Sequence, residues 1–377
     1  MIYLDYAATS FVKPKSVYKA VMNAMMYSGA NPGRGGHSLS VKAGEIVYET
    51  REKLCKFFHA DTPEQFSFFP NTTAALNAGI KGVLTPGDHV VVSSMEHNSV
   101  ARPLEALRRR GIITYSVVYA DGSGHLMPED FLKAMRLNTK LVICTHASNV
   151  CGNAYDIYKI ARLVRSRGAL FMADCAQSAG VLDVNVSEMD LMAFPGHKGL
   201  YGPQGSGGLY VREGLYLQTL IEGGTGSQSE QLYQPEELPD RLESGTLNVP
   251  AIAGLGAALD FVSDVGIKTM FNHEQELLTL FSEELKNMKE VQIYGDNAKT
   301  GIVAVNLPQI DCVDAATILS NEYNIAVRSG LHCAVWAHET LQTVETGCIR
   351  FSFGYFTTKK EVKKAVDAMY HLSKLTV

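Results

Sequence analysis

From about residue 15 to residue 210, short runs of apolar and β-branched residues alternate with longer amphipathic stretches. Such alternation is the pattern of a mostly parallel sheet covered by helices. The clearest strands are His89 to Ser93 (HVVVS), Thr114 to Tyr119, Lys140 to Thr145 (KLVICT) and Ala169 to Ala173 (ALFMA), with helices predicted at Val100 to Arg110 and Ile157 to Arg167. The run GGLYVREG from Gly207 reads as a further strand, and Leu215 to Glu237 reads as loop, with Gly223, Gly224 and Gly226 close together. Long helices are predicted at Ile252 to Val262 and His273 to Met288. Beyond Val291 the pattern becomes strand (301 to 307), helix (Val313 to Asn321), strand (Ala326 to Arg328), strand (Cys348 to Phe353) and a final amphipathic helix (Lys359 to Leu372). The expectation is an α/β chain. It has a large domain over 15–254 and a smaller α+β domain over 255–377, with segment 1–14 packing near the smaller one.

A length of 377 residues suits two such domains, and 46% apolar with 19% charged residues is an ordinary globular composition. The net charge of -5 offers no general attraction to phosphate backbones or anionic membranes, so neither nucleic acid nor membrane is expected as a partner. Arg108 to Arg110 read as a solvated helix end. No apolar run reaches the roughly 18 residues of a membrane span. The opening MIYLDYAATSFVKP has no basic stretch followed by an apolar one, so a cytoplasmic location is the expectation. Seven cysteines, at 55, 144, 151, 175, 312, 333 and 348, are scattered without any Cys-x-x-Cys pair. That argues against a disulfide framework and against a zinc site, and for reduced thiols.

Three strands end in polar residues that an apolar core would not choose. HVVVSSMEH ends at His97, KLVICTHASN at Asn149, and ALFMADCAQ at Asp174 with Gln177 following. In open parallel sheets ligands bind beyond the carboxyl ends of the strands, so these side chains would face one crevice. Singly, each also reads as structural: His97 as a loop histidine, Asn149 as a turn residue, Asp174 as a helix N-cap. Thr72 and Thr73 open a helix, AALNAGIKGVL, whose free N–H groups suit an anion, and either could equally be a plain N-cap. Lys198 lies in the glycine-bordered run FPGHKGLYGPQGSGGLYV, which also reads as a surface loop. Pyridoxal 5'-phosphate requires an amine for its Schiff base, an acid against its ring nitrogen and a phosphate anchor. Lys198, Asp174 and Thr72/Thr73 could supply them, with His97 on the ring face and Gln177 toward the ring hydroxyl.

The ordered set NTTAALN, MEHN, HASNVCG, DCAQ, GHKGLYGPQGSGGLYV, ESGTLN and RSGLHCA resembles the class V aminotransferase superfamily of fold type I. Within it the chain is most similar to the cysteine desulfurases. The form RSGLHCA is similar to their group II, which shares its fold with selenocysteine lyases. The resemblance runs from YLDYAATS to IRFSFGYFTT, nearly the whole chain.

What the resemblance implies is a pyridoxal-phosphate enzyme that converts L-cysteine to L-alanine and passes the sulfur to Cys333 as a persulfide, for iron–sulfur cluster or thiocofactor assembly. Lys198 would tether the cofactor and act as base. His97 would stack on the ring and relay a proton. Arg350 would clamp the substrate carboxylate, with Arg328 and Asn149 lining that end. His197 and Thr73 would hold the phosphate, and Thr246 would reach the phosphate of a neighbouring subunit, which implies a homodimer. A sulfur-acceptor protein is a further implied partner. Read without the family, Arg350 is a surface ion pair and Thr246 a loop N-cap. L-Selenocysteine as substrate, or another class V reaction (C–S lyase, epimerase, transaminase), is the alternative within the fold; a non-catalytic cofactor-binding scaffold is the alternative outside it. Four departures from the group II pattern stand out: Pro195 where serine is common, Gly199 as an extra residue after Lys198, Leu331 in place of histidine, and a longer stretch from Cys333 to Arg350.

Overall fold

The computed structural model describes residues 1–33 and 35–375. In chain order the elements are β1 (Ile2–Tyr3), α1 (Lys15–Tyr27), α2 (Ser38–Phe57), β2 (Phe66–Phe68), α3 (Thr72–Val83), β3 (His89–Ser93), α4 (Asn98–Arg109), β4 (Thr114–Val118), α5 (Pro128–Ala134), β5 (Thr139–Thr145), α6 (Ile157–Arg165), β6 (Leu170–Asp174), β7 (Leu191–Pro195) and β8 (Gly207–Val211). They continue as α7 (Val249–Val265), α8 (Ile267–Lys286), β9 (Gln292–Tyr294), β10 (Ile302–Asn306), α9 (Cys312–Tyr323), β11 (Ile325–Ala326), β12 (Arg328–Gly330), α10 (Val335–Thr340), β13 (Cys348–Ser352) and α11 (Lys359–Ser373).

The apolar strands assemble into a seven-stranded sheet of order β2-β8-β7-β6-β5-β3-β4. β4, β3, β5, β6 and β7 run parallel, and β8 is antiparallel to both β7 and β2. Alternation along each strand divides its residues between two cores. Val91, Val142, Phe171 and Phe194 pack on one face, while Val90, Val92, Leu141, Ile143 and Met172 pack on the other. Each such side chain taken fully from water contributes about 1.5–3 kcal/mol before entropy is counted. The mixed α/β architecture with a mostly parallel central sheet agrees with the pattern of the sequence.

β7 was not visible as a strand in the sequence pattern, because LMAFP is short and ends in a proline. Its place between β6 and β8 explains the tolerance: Pro195 sits at the strand end, opposite Gly207. β2 is too brief, at FSF, to show an alternation. The expected helix at Ile252 starts earlier, at Val249, because Asn248 caps it by accepting from the Ala251 N–H at 3.2 Å. α8 begins directly after Gly266, whose φ of +85° turns the chain between two helices where a side chain would be strained.

The C-terminal part forms a four-stranded antiparallel sheet of order β12-β13-β10-β9, with its own core of Leu277, Phe281, Val303, Val305, Ile349, Phe351 and Met369 among others. The stretch expected as one strand at Ala326 to Arg328 splits in two: β11 pairs with β1, and β12 pairs with β13. The N-terminal segment thereby joins this part, and Asp5 makes a further bridge to Ser352. α7 lies across α1 and α2, and its Leu255 and Leu259 share a core with Phe194 and Leu200. Among the described residues no single helix is long and apolar enough to cross a membrane.

Candidate active site

Register brings three strand ends into line, with Thr145 opposite Asp174 and Asp174 opposite Ala193. Asp174 is the last residue of β6 and is 2% exposed. Its Oδ1 accepts the Ala176 N–H at 2.9 Å, in a turn rather than at the start of a helix. Burial pushes this carboxyl up to about 6, opposed by that N–H and by Lys198. Lys198 lies just beyond β7, which is parallel to β6 and adjacent to it, so two neighbouring strands carry the pair. Burial, with Arg350 as the next cause, pulls the Lys198 amine down to about 8.

The loop that follows Lys198 is held by a close backbone approach. A Cβ on Gly180, where φ is +84°, would lie 2.3 Å from the Gly199 carbonyl oxygen, and a Cβ on Gly199 would lie 2.5 Å from that of Ala179. Gly199, an extra residue by the family pattern, is therefore required by its surroundings. Ser10 and Thr9 complete the clasp: the Ser10 N–H donates to the His197 carbonyl at 2.9 Å, and Thr9 Oγ1 lies 3.1 Å from His197 Nδ1. Burial, then the charge of Lys198, lowers His197 to about 4.

Across the cavity, α3 begins at Thr72, capped by Asn71, whose Oδ1 accepts the Ala74 N–H at 2.9 Å. Thr73 Oγ1 is 2.7 Å from Ser99 Oγ, and Ser99 Oγ is 2.8 Å from His97 Nδ1. The Ser99 N–H also donates to His97 Nδ1 at 3.0 Å. Because a backbone N–H can only donate, Nδ1 is an acceptor and the neutral ring carries its proton on Nε2. Burial, then Lys198 and Arg328, lowers His97 to about 4, so the ring is neutral at pH 7. His97 is thus also the N-cap of α4. Behind it, burial raises Glu96 to about 8; its Oε1 accepts from Ser93 and, at 2.7 Å, from the Thr145 N–H.

At the other end Arg328 and Arg350 are cross-strand partners in β12 and β13, which places both guanidinium groups on one face. Arg350 is 1% exposed, far from the surface ion pair its sequence context allowed. It donates from Nη1 to the Asn149 carbonyl and from Nη2 to Asp5 Oδ1, each at 2.9 Å, and its buried Nε has no partner among the described residues. Asn149 Nδ2 in turn donates to the His332 carbonyl at 2.8 Å. That bond steadies a strained loop in which His332 (φ +48°) and Cys333 (φ +56°) are both left-handed. Cys333 alone of the seven cysteines is exposed, and Arg328 Nη2 lies 3.7 Å from its Sγ.

A cavity of about 220 Å³ unites these parts. Ten of the twelve residues singled out in the sequence line it: Thr72, Thr73, His97, Asn149, Asp174, Gln177, His197, Lys198, Arg328 and Arg350. Cys333 is not a lining residue, although its neighbour His332 is. Thr246 lines a separate cavity of about 350 Å³ beside Phe69, Pro70 and Ile221. Sequence reasoning gave no site role to Ser99, Thr9, Asp5 or His332. Asp5 and Thr9 stand in the YLDYAATS run and His332 in RSGLHCA beside Cys333, whereas Ser99 carried no local signal.

The donor set fits pyridoxal phosphate. One buried acid and one amine of lowered basicity share the cavity, a helix N-terminus with hydroxyl groups forms one end, and a buried guanidinium with a spare Nε–H forms the other. Gln177, whose Nε2 donates to the Ala7 carbonyl at 3.0 Å, is held along the side between them.

An α/β fold with a lysine-bearing cavity at the carboxyl edge of its sheet is that of a fold type I transferase. The aminotransferase class-V family profile matches residues 2–365, and the chain belongs to that family. It is 36% identical over 371 residues to a probable cysteine desulfurase of Methanothermobacter thermautotrophicus, covering 96% of this chain and 92% of that one. A probable cysteine desulfurase of Pyrococcus abyssi is 32% identical, with 99% and 94% covered. Among solved structures, the apo cysteine desulfurase of Thermococcus onnurineus NA1 superimposes with a TM-score of 0.93 at 32% identity, covering 99% of this chain and 94% of that one.

Proposed function

We propose that this protein is a pyridoxal-phosphate-dependent cysteine desulfurase. The overall change is L-cysteine plus the Cys333 thiol giving L-alanine plus a Cys333 persulfide: the substrate's C–S bond breaks, an S–S bond forms, and atoms and electrons balance without another reactant. The observation that carries this reading is the exposed thiol of Cys333 on a strained loop, bonded through His332 to the cavity that contains Lys198 and Arg350.

When bound, the cofactor supplies an electron sink for charge developing at the substrate Cα. Thr72, Thr73 and His197 would hold its phosphate, Asp174 its ring nitrogen, Gln177 its hydroxyl, and His97 its ring face. Lys198 Nζ, with its lowered basicity, takes the Cα proton and returns one to the product. Arg350 receives the substrate carboxylate, and Arg328 Nη2 donates toward the Cys333 sulfur at 3.7 Å. His97 Nε2 passes a proton to or from the substrate thiol.

The surface supports finer parts of the reading. α1 exposes Tyr18, Met22, Met25 and Met26, and Leu220 and Ile221 are exposed near Thr246. Exposed apolar side chains of this kind support a homodimer in which Thr246 completes the partner's phosphate site. Sulfur carried on an exposed cysteine is suited to an acceptor protein in the cytoplasm.

Incubation with L-cysteine should release alanine and add one sulfur to the peptide containing Cys333, mapped by mass spectrometry. No alanine, or sulfur found on Cys348 instead, overturns the assignment. Activity on L-selenocysteine that survives Cys333→Ala, while activity on L-cysteine is lost, assigns the selenocysteine lyase reaction.

A further inference from the structure

Behind the loop that carries Cys333, three nitrogen and sulfur donors converge in the interior. His332 precedes Cys333, His338 sits on α10, and Cys348 opens β13; they are 3%, 0% and 1% exposed. Their donor atoms all lie within 4.8 Å of one another. His332 Nδ1 is 3.4 Å from His338 Nε2 and 3.7 Å from Cys348 Sγ.

The nitrogen–nitrogen separation is long for a direct hydrogen bond, the sulfur contact is of ordinary length for one, and both also match the edges of a coordination tetrahedron. An N–H donor and its acceptor prefer about 2.9–3.0 Å. Around zinc, with Zn–N near 2.0–2.1 Å and Zn–S near 2.3 Å, the edges of a tetrahedron are about 3.3 Å for N···N and about 3.6 Å for N···S. The two imidazole rings are near-parallel, 14° between planes with centroids 5.6 Å apart, so they are offset from one another with His332 Nδ1 and His338 Nε2 the close atoms.

The remaining ring nitrogens are held as metal-bound histidines are held. His332 Nε2 faces the Arg328 carbonyl at 3.3 Å; a carbonyl can only accept, so the proton is on Nε2 and Nδ1 presents a lone pair. His338 Nδ1 is 2.7 Å from Thr343 Oγ1, and donation there leaves Nε2 equally free. The neighbouring Arg350 does not add an uncompensated charge, since it is paired with Asp5 at 2.9 Å.

We propose that His332, His338 and Cys348 form a three-ligand site for one zinc-type divalent cation. Binding makes two metal–nitrogen bonds and one metal–sulfur bond, releases the Cys348 thiol proton to solvent, and changes no oxidation state. The ion ties together the Cys333 loop, α10 and β13, three consecutive elements whose ligands lie within 16 positions of one another.

The test is a titration of the chelator-stripped full chain with cobalt(II) chloride. A tetrahedral visible spectrum with a thiolate charge-transfer band should saturate at a single equivalent, be displaced by zinc chloride, and accompany a rise in Tm. Cys348→Ser and His338→Asn should abolish the bands, and Cys333→Ser should keep them. Thr343→Val, which removes the Nδ1 partner of His338, should weaken binding about tenfold or more. Absence of a saturable band in the unmodified chain overturns the site, leaving a hydrogen-bonded trio. A band that persists in Cys348→Ser and vanishes in Cys333→Ser also overturns it, placing the ion on the exposed thiol. Should the variants at 338 or 348 fail to fold, as read by near-ultraviolet circular dichroism, the titration of the unmodified chain and of Cys333→Ser decides.

Discussion

Arg350 Nη2 donates to Asp5 Oδ1 at 2.9 Å, so the buried guanidinium at one end of the cavity is held by the N-terminal segment. Asp5 is brought there by the pairing of β1 with β11 and by its own bridge to Ser352. Arg350 can keep this partner through Nη2 while Nε, which has none among the described residues, remains available for the proposed contact with a substrate carboxylate.

Asp5→Asn should therefore loosen the clamp without removing it. The KM for L-cysteine is expected to rise about tenfold with kcat changed about twofold or less, because the lost charge-assisted bond orients binding rather than chemistry. Steady-state kinetics read this split directly. An equal fall in kcat and kcat/KM with KM unchanged would assign Asp5 to the chemical step instead.

Cofactor uptake should report the lowered basicity of Lys198. The neutral amine is the reactive form, and with its value near 8 the rate of pyridoxal phosphate uptake by the cofactor-free chain should climb about tenfold per pH unit below 8 and level off above it. The same shift has a sign for stability. Between pH 8 and the ordinary 10.5, the unfolded chain holds a proton on this lysine that the folded chain does not, so this group's contribution to stability rises with pH across that window. Stopped-flow absorbance tests the rate, and an uptake rate still rising through pH 10 contradicts it.

Gly199→Ala introduces a Cβ at 2.5 Å from the Ala179 carbonyl oxygen, a backbone atom that cannot rotate away. The loop must shift, and Lys198 with it. A displacement of about 1 Å can cost about 10²-fold in rate, so kcat should fall by up to that factor while the far-ultraviolet circular dichroism is unchanged. Unchanged kinetics would show that the loop relaxes without moving the amine.

Arg328→Gln removes the cation 3.7 Å from Cys333 Sγ. Alkylation of the intact protein by iodoacetamide at pH 7 should slow about three- to tenfold, since the guanidinium that donates toward the sulfur and holds it in place is lost. Peptide mapping assigns the rate to Cys333, the only exposed cysteine among the described residues. An equal rate in both proteins would leave Arg328 to the substrate carboxylate alone.

Much of the parallel sheet was legible because its strands are short, β-branched and bounded by polar residues: β3, β5 and β6 follow the apolar runs to within a residue at each end. β7 and β2 escaped because one ends in proline and the other has three residues. Residues that line the cavity were legible where they end or follow a strand, as Asp174, His97 and Asn149 do, or interrupt a glycine-rich run, as Lys198 does. Ser99 and Thr9 were not, since their importance lies in what they touch.

Periodicity and strand-end polarity are local properties, so the alternating layers and the order of the chemical groups could be read directly along the chain. Which distant groups meet is a matter of how the strands pair. Asp5 reaches Arg350 across 345 positions because β1 adds to β11, and Arg350 faces Arg328 because β12 and β13 share a register. The gathering of His332, His338 and Cys348 spans only 16 positions, yet it too depends on how the loop, α10 and β13 fold against one another. Cysteine spacing argued against a zinc site, since no Cys-x-x-Cys pair exists, but a loop, a helix and a strand can converge on one point with no signature in the spacing.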